Sequence, residues 1–129
     1  MKDTNTILII EDETSLLDAL SDKCKKEGYR VLTAKNGKNG LSLALEHHPD
    51  VILLDIVMPI MDGISFLEEI RKDPWGKTAS IIILTNLTGS EEVSKSTGAG
   101  VYDYLVKSDW SLKDVIVKIE EKIGKKNKK

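Results

Sequence analysis

A chain of 129 residues, 40% hydrophobic and 31% charged, has the length and balance of one globular domain able to bury its own core. No apolar stretch approaches the roughly 20 residues a membrane helix needs, so no membrane insertion is expected. The single cysteine, Cys24, excludes an internal disulfide. The net charge of −2 is unevenly placed, because Gly124–Lys129 holds four lysines and removing them leaves −6. An acidic body argues against direct nucleic-acid binding, and residues 125–129 read as a solvated basic tail on a domain spanning 1–124. Met1–Thr6 is polar, so no signal peptide is expected and a cytoplasmic location is.

Ile7–Ile10 is too short for a helix and rich in β-branched residues, which predicts a first strand. Thr14 is expected to cap a helix carrying Leu16, Leu17, Leu20 and Cys24 at helical spacing, with Cys24 as packing and Gly28 as the stop. Tyr29–Ala34 is the second strand and Asn36-Gly37 the turn after it. Leu41, Ala44 and Leu45 mark a second amphipathic helix that stops before Pro49. His47 and His48 fall at its carboxyl end, where cations suit the helix dipole. Consecutive helical residues do not share a face, so they read as exposed surface and not as a metal pair.

Val51–Asp55 is the third strand, followed by a loop that Met58-Pro59 opens and Asp62-Gly63 ends. Ile64, Leu67 and Ile70 face the core from a third helix that stops near Asp73-Pro74. Trp75 lies in the next loop, readable as a partner anchor or as a partly packed aromatic. Ile81–Thr85 is the fourth strand, Ser90–Thr97 a short helix with a poor apolar stripe, and Tyr102–Lys107 the fifth strand. Ser111 caps a last helix with Leu112, Val115, Ile116, Ile119 and Ile123 inward. Strands alternating with helices predict a parallel sheet covered on both faces.

Four of the apolar runs end in groups suited to metal or phosphate: Glu11-Asp12, Asp55, Thr85 and Lys107. In a parallel sheet all of them project from the carboxyl edge, where open α/β sheets place their ligands. Mg²⁺ seeks hard oxygen donors, which Glu11, Asp12, Asp55 and the Val57 carbonyl supply. A carboxylate can also act as a nucleophile and form an aspartyl-phosphate. Phosphoryl transfer asks mainly for positioning and charge neutralisation, which Mg²⁺ and Lys107 provide. A small aspartate phosphatase would need a second carboxylate two residues past Asp55, where Val57 stands. A flavoprotein would meet repulsion between the flavin phosphate and Glu11-Asp12.

Taken together, Glu11-Asp12, the run Leu54-Asp55-Ile56-Val57-Met58-Pro59, Asp62-Gly63, Thr85 and Lys107 resemble the receiver domain of two-component response regulators over essentially the whole chain. The resemblance implies an α/β, flavodoxin-like, doubly wound five-stranded parallel sheet in the order 2-1-3-4-5 with five helices. It implies that Asp55 accepts a phosphoryl group from a phosphohistidine on a sensor histidine kinase or phosphotransfer protein. Asp12 would ligate Mg²⁺ directly, Glu11 directly or through water, and Lys107 would pair with the phosphoryl group. Thr85 would hydrogen-bond a phosphoryl oxygen, and Tyr104 matches the switch aromatic that turns inward as Thr85 moves. The output would be a population shift in the face formed by the Ser90–Thr97 helix, the fifth strand and the last helix, read by a downstream target protein. Such a chain is a signalling module and not an enzyme, catalysing only its own phosphorylation and slow self-dephosphorylation.

Three departures from the family pattern stand out. Ser108 follows Lys107 where proline is usual, often after a cis bond; before serine that bond costs ~3 kcal/mol instead of ~1. The loop is then either trans, shifting Lys107, or strained. Asn86 replaces a small residue after Thr85. Val57 and Leu87, at the two positions that tune phosphoryl lifetime in the family, are apolar and unable to orient water, which implies a long-lived phosphorylated form. The expected form is a stand-alone, chemotaxis-regulator-like receiver acting as a relay intermediate or a diffusible switch, the alternatives being a non-phosphorylated docking module and a piece of a larger regulator or hybrid kinase.

Overall fold

The computed structural model describes residues 5–55, 60–85, 103–106 and 111–127. In chain order the elements are β1 (Thr6–Ile10), α1 (Thr14–Lys26), β2 (Arg30–Ala34), α2 (Gly37–His47), β3 (Val51–Asp55), α3 (Gly63–Ile70), a 3₁₀ turn (Gly76–Thr78), β4 (Ile81–Thr85), β5 (Asp103–Val106) and α4 (Leu112–Asn127). All strand pairs are parallel and the sheet order is β2-β1-β3-β4-β5. This is the expected flavodoxin-like arrangement. Four α-helices lie among the described residues; the expected Ser90–Thr97 helix falls outside them.

Period-two alternation along the central strands divides the core into two layers. Leu8, Ile10, Ile52, Leu54, Ile81 and Ile83 pack on one face with Ala44 of α2 and Phe66, Leu67 and Ile70 of α3. Ile7, Ile9, Val51, Leu53, Ile82 and Leu84 pack on the other with Leu17, Leu20 and Cys24 of α1 and Val115, Ile116, Ile119 and Ile123 of α4. Every residue of β3 is buried, which is why these strands read as unbroken apolar runs.

Local chemistry sets the ends of the elements. Gly28, at φ +96°, closes α1 as the Tyr29 N–H reaches the Cys24 carbonyl at 3.1 Å and the Gly28 N–H reaches Lys25 at 3.0 Å. That closure takes Tyr29 out of the strand, so β2 starts at Arg30 and not at Tyr29. Thr14 is not a cap: Glu13 occupies the N-cap position without a side-chain cap bond, and the Thr14 hydroxyl accepts from Lys35 Nζ at 2.7 Å. Asn36 caps α2 by accepting the Asn39 N–H at 2.8 Å, so Asn36-Gly37 begins a helix where a turn is expected from the dipeptide. Ser111 does cap α4, in a reciprocal box in which its N–H donates to Asp114 Oδ2 (2.8 Å) and its Oγ accepts the Asp114 N–H (3.3 Å). α4 continues through Asn127, so the backbone of residues 125–127 is helical where a tail is expected.

Leu45, read as a core position of α2, is substantially exposed, as are His47 and His48. Trp75 is half-buried and stacks on His48 with ring centroids 4.4 Å apart and planes 7° from parallel, the partly packed reading of that aromatic.

Candidate functional site

The site is assembled by strand register. Ile10 lies opposite Leu54, Asp55 opposite Leu84, and Thr85 opposite Val106, so the ends of β1, β3, β4 and β5 come level at the carboxyl edge. The Glu11 N–H donates to the Ala34 carbonyl at 3.0 Å, which extends the β1–β2 pairing one residue past the strand and fixes Glu11 in place. Its side chain is fully buried, and Oε2 accepts the Glu13 N–H at 3.0 Å, at the amino end of α1 where negative charge suits the helix dipole. Asp12 is exposed, whereas Asp55 is only 5% exposed.

Carboxylate oxygens of Glu11, Asp12 and Asp55 lie within 4.8 Å of one another. At that separation two unit charges repel by about 3 kcal/mol at an effective dielectric of 20. A divalent cation replaces this repulsion with attraction, and an all-oxygen carboxylate set with both buried and exposed members suits hard cations such as Mg²⁺ that keep part of their water. The three carboxylates named from sequence as metal-binding are therefore together. Thr85 ends β4 at the same edge and Tyr104 lies in β5 opposite Ile83. Val57, Asn86, Leu87, Lys107 and Ser108 lie outside the described residues.

The loop after Asp55 is tied at its far end. The Met61 carbonyl accepts the Gly37 N–H at 2.9 Å, and Asp62 caps α3 by accepting the Ser65 N–H at 2.8 Å. A Cβ on residue 37 would overlap the Met61 carbonyl oxygen, so the first turn of α2 and the loop can meet only at a glycine. This contact is not visible in the sequence, although Asn36 is an N-cap residue type ahead of the Leu41 and Ala44 stripe and could have revealed the α2 boundary. Immediately before these anchors Ile60 has φ +69° and is 77% exposed.

Away from the site, burial, aided by Glu27, pushes the Cys24 thiol up to about 11, which leaves it an inert core residue. Among the described residues no helix is long and apolar enough to cross a membrane.

Residues 7–120 match the family model described as the response regulator receiver domain. The transcriptional regulatory protein KdpE of Mycobacterium tuberculosis is 40% identical over 101 residues, covering 78% of this chain and 43% of that protein, so the chain spans less than half of this relative. The CheY-like response regulator receiver domain protein of Methanospirillum hungatei aligns over 98% of both chains with a TM-score of 0.89 and 30% identity. The receiver domain of sensor histidine kinase PA1611 from Pseudomonas aeruginosa, whose structure has a magnesium ion coordinated in its active-site cleft, aligns with a TM-score of 0.85 and 28% identity over 95% of this chain and 99% of that one. With its sheet order, its clustered carboxylates and a family match over nearly its full length, the chain belongs to the receiver domains of response regulators in two-component signalling.

Proposed function

We propose that this receiver accepts a phosphoryl group on Asp55 from a phosphohistidine of a sensor kinase or phosphotransfer protein, and that the phosphorylated form changes its contacts with a downstream target. The observation that carries this reading is the placement of the largely buried Asp55 carboxylate within 4.8 Å of Glu11 and Asp12 at the carboxyl edge of the sheet. In the transfer a carboxylate oxygen of Asp55 forms a bond to phosphorus as the P–N bond breaks, and the bonding pair returns to the imidazole nitrogen. Glu11, Asp12, Asp55 and the Val57 carbonyl would hold Mg²⁺, which when bound neutralises charge on the transferring group. Lys107 pairs with the phosphoryl oxygens, Thr85 donates its hydroxyl to one of them, and Tyr104 follows Thr85 as the switch. The recessed position of Asp55 limits access of water to the acyl phosphate. Residues 1–124 form the receiver body and 125–129 its basic extension, working in the cytoplasm beside the kinase.

The test is intact mass after incubation with acetyl phosphate, with and without Mg²⁺, on the wild type and on Asp55→Asn. A Mg²⁺-dependent gain of one phosphoryl group that disappears in Asp55→Asn is the expected result. Labelling that persists in Asp55→Asn, or that ignores Mg²⁺, would refute the assignment.

A further inference from the structure

β2 is an outer strand of the sheet, and its register shows which of its backbone groups are taken. The Arg30 N–H donates to the Asn5 carbonyl at 2.9 Å, and the Ala34 carbonyl accepts the Glu11 N–H at 3.0 Å. In a parallel ladder alternate residues of a strand bond to the same neighbour, so Arg30, Leu32 and Ala34 direct their N–H and C=O groups to β1. Val31 and Thr33 direct theirs to the open side, where among the described residues they meet no partner. Along this side runs a cleft of about 510 Å³ whose walls include Leu17 of α1, Thr33 and Lys35, and Asn39, Ser42 and Leu43 of α2. Since α1 and α2 cover opposite faces of the sheet, the cleft is walled on both sides and open over the strand edge, the shape of a slot for one more strand.

A bare strand edge pairs readily with another strand, and the charges along it decide with which. Among the described residues that line the cleft Lys35 is the one with a charge, and its Nζ is held beside the slot by donating to the Thr14 hydroxyl at 2.7 Å. Arg30, also exposed, stands at the other end of β2. A second copy adding its own β2 in antiparallel pairing would bring Lys35 of each strand toward Arg30 of the other, and like charges across a strand pair are unfavourable. A strand with carboxylates at its ends meets the same two cations favourably. We infer that the open edge of β2 is a docking slot for an extended acidic segment of a partner protein. The segment adds as a sixth strand, with apolar side chains against Leu17 and Leu43 and a carboxylate at Lys35. The slot does not include the carboxylate cluster, so the inference holds whether or not Asp55 is the acceptor.

The experiment reads amide hydrogen exchange by NMR on the full chain, alone and with a probe peptide. The probe is a short capped peptide of alternating valine and threonine with a glutamate at each end. In the free chain the Leu32 and Ala34 amides should exchange slowly and those of Val31 and Thr33 fast, as the register requires. The peptide should bind saturably and slow Val31 and Thr33 in particular. Lys35→Glu, a change at an exposed position, should weaken binding at least about tenfold while leaving Leu32 exchange as in the wild type. A peptide with lysines in place of the glutamates should not bind, and one methylated on alternate backbone nitrogens should lose the protection. Absence of binding at millimolar peptide would overturn the proposal, as would binding that leaves Val31 and Thr33 unprotected. Equal binding of the glutamate and lysine peptides would overturn the choice of an acidic partner. Concentration-dependent self-association that protects Val31 and Thr33 without peptide would likewise overturn it, by assigning the edge to a second copy of the chain.

Discussion

Gly37→Ala probes how tightly Met61 is held against the first turn of α2. A Cβ at this position overlaps the Met61 carbonyl oxygen and comes within 2.9 Å of Met61 Cγ and 3.0 Å of the Met61 carbonyl carbon. Alanine by itself favours a helical position by about 1 kcal/mol, so a harmless contact would make the variant more stable than the wild type. The obstacle is main chain and cannot rotate away. Making room moves Met61 outward and breaks the 2.9 Å Gly37–Met61 hydrogen bond, at a net cost of about 0.5–1.5 kcal/mol. Overpacking adds about 1–3 kcal/mol. After the gain in propensity the expected destabilisation is about 0.5–3.5 kcal/mol, read as a lower urea midpoint by far-ultraviolet circular dichroism. Gly124→Ala is the control: it makes the same chemical change in α4, where a Cβ meets no atom within 4 Å, and should stabilise by about 0.5 kcal/mol. If Gly37→Ala is as stable as the wild type while Gly124→Ala shows its gain, Met61 is not held against α2 as described.

Three further outcomes are expected. The Cys24 thiol, raised from 9.0 to about 11 chiefly by burial and secondarily by Glu27, favours its neutral form in the folded chain. Its contribution to stability is full below pH 9 and is lost as pH rises through 11, so urea midpoints should fall more steeply across that window for the wild type than for Cys24→Ala; parallel slopes would contradict this. Mg²⁺ at a hundred times its Kd should stabilise the wild type by about 2.7 kcal/mol over its metal-free form, and an equal effect in Asp12→Asn would place the ion elsewhere. Val57→Asn combined with Leu87→Glu should shorten the lifetime of the phosphorylated chain in a pulse-chase measurement, and an unchanged lifetime would remove any shielding role for these two residues.

The strands and the acidic cluster were legible in the sequence for one physical reason. Parallel strands buried on both faces leave unbroken apolar runs, and the polar residue that ends each run lands on the same edge, as Glu11, Asp12 and Asp55 do. Positions settled by contacts distant in sequence were not legible. Asn-Gly suits a turn or a helix start equally, and what accompanies its choice here is a hydrogen bond to Met61, 24 residues away. Tyr29 continues an apolar alternation, yet its N–H is taken by the end of α1. Helical spacing brought Leu45 into the predicted stripe, but the stripe of α2 is narrower than its leucines suggest, with Ala44 fully buried and Leu45 exposed. Ile60 was beyond prediction because its backbone runs against the preference of its own side chain.

The His48–Trp75 stack lies where α2 enters β3 and the loop after α3 leads into β4, at the amino edge of the sheet. The carboxylate cluster lies at the other edge, a five-residue strand away, roughly 17 Å by the rise of a parallel strand. This spacing makes Trp75 an optical gauge already present in the chain. With Trp110→Phe removing the second indole, a change in Trp75 emission on phosphorylation would measure how far a perturbation at the acceptor travels along the sheet, and a constant emission would confine the response to the edge where it begins.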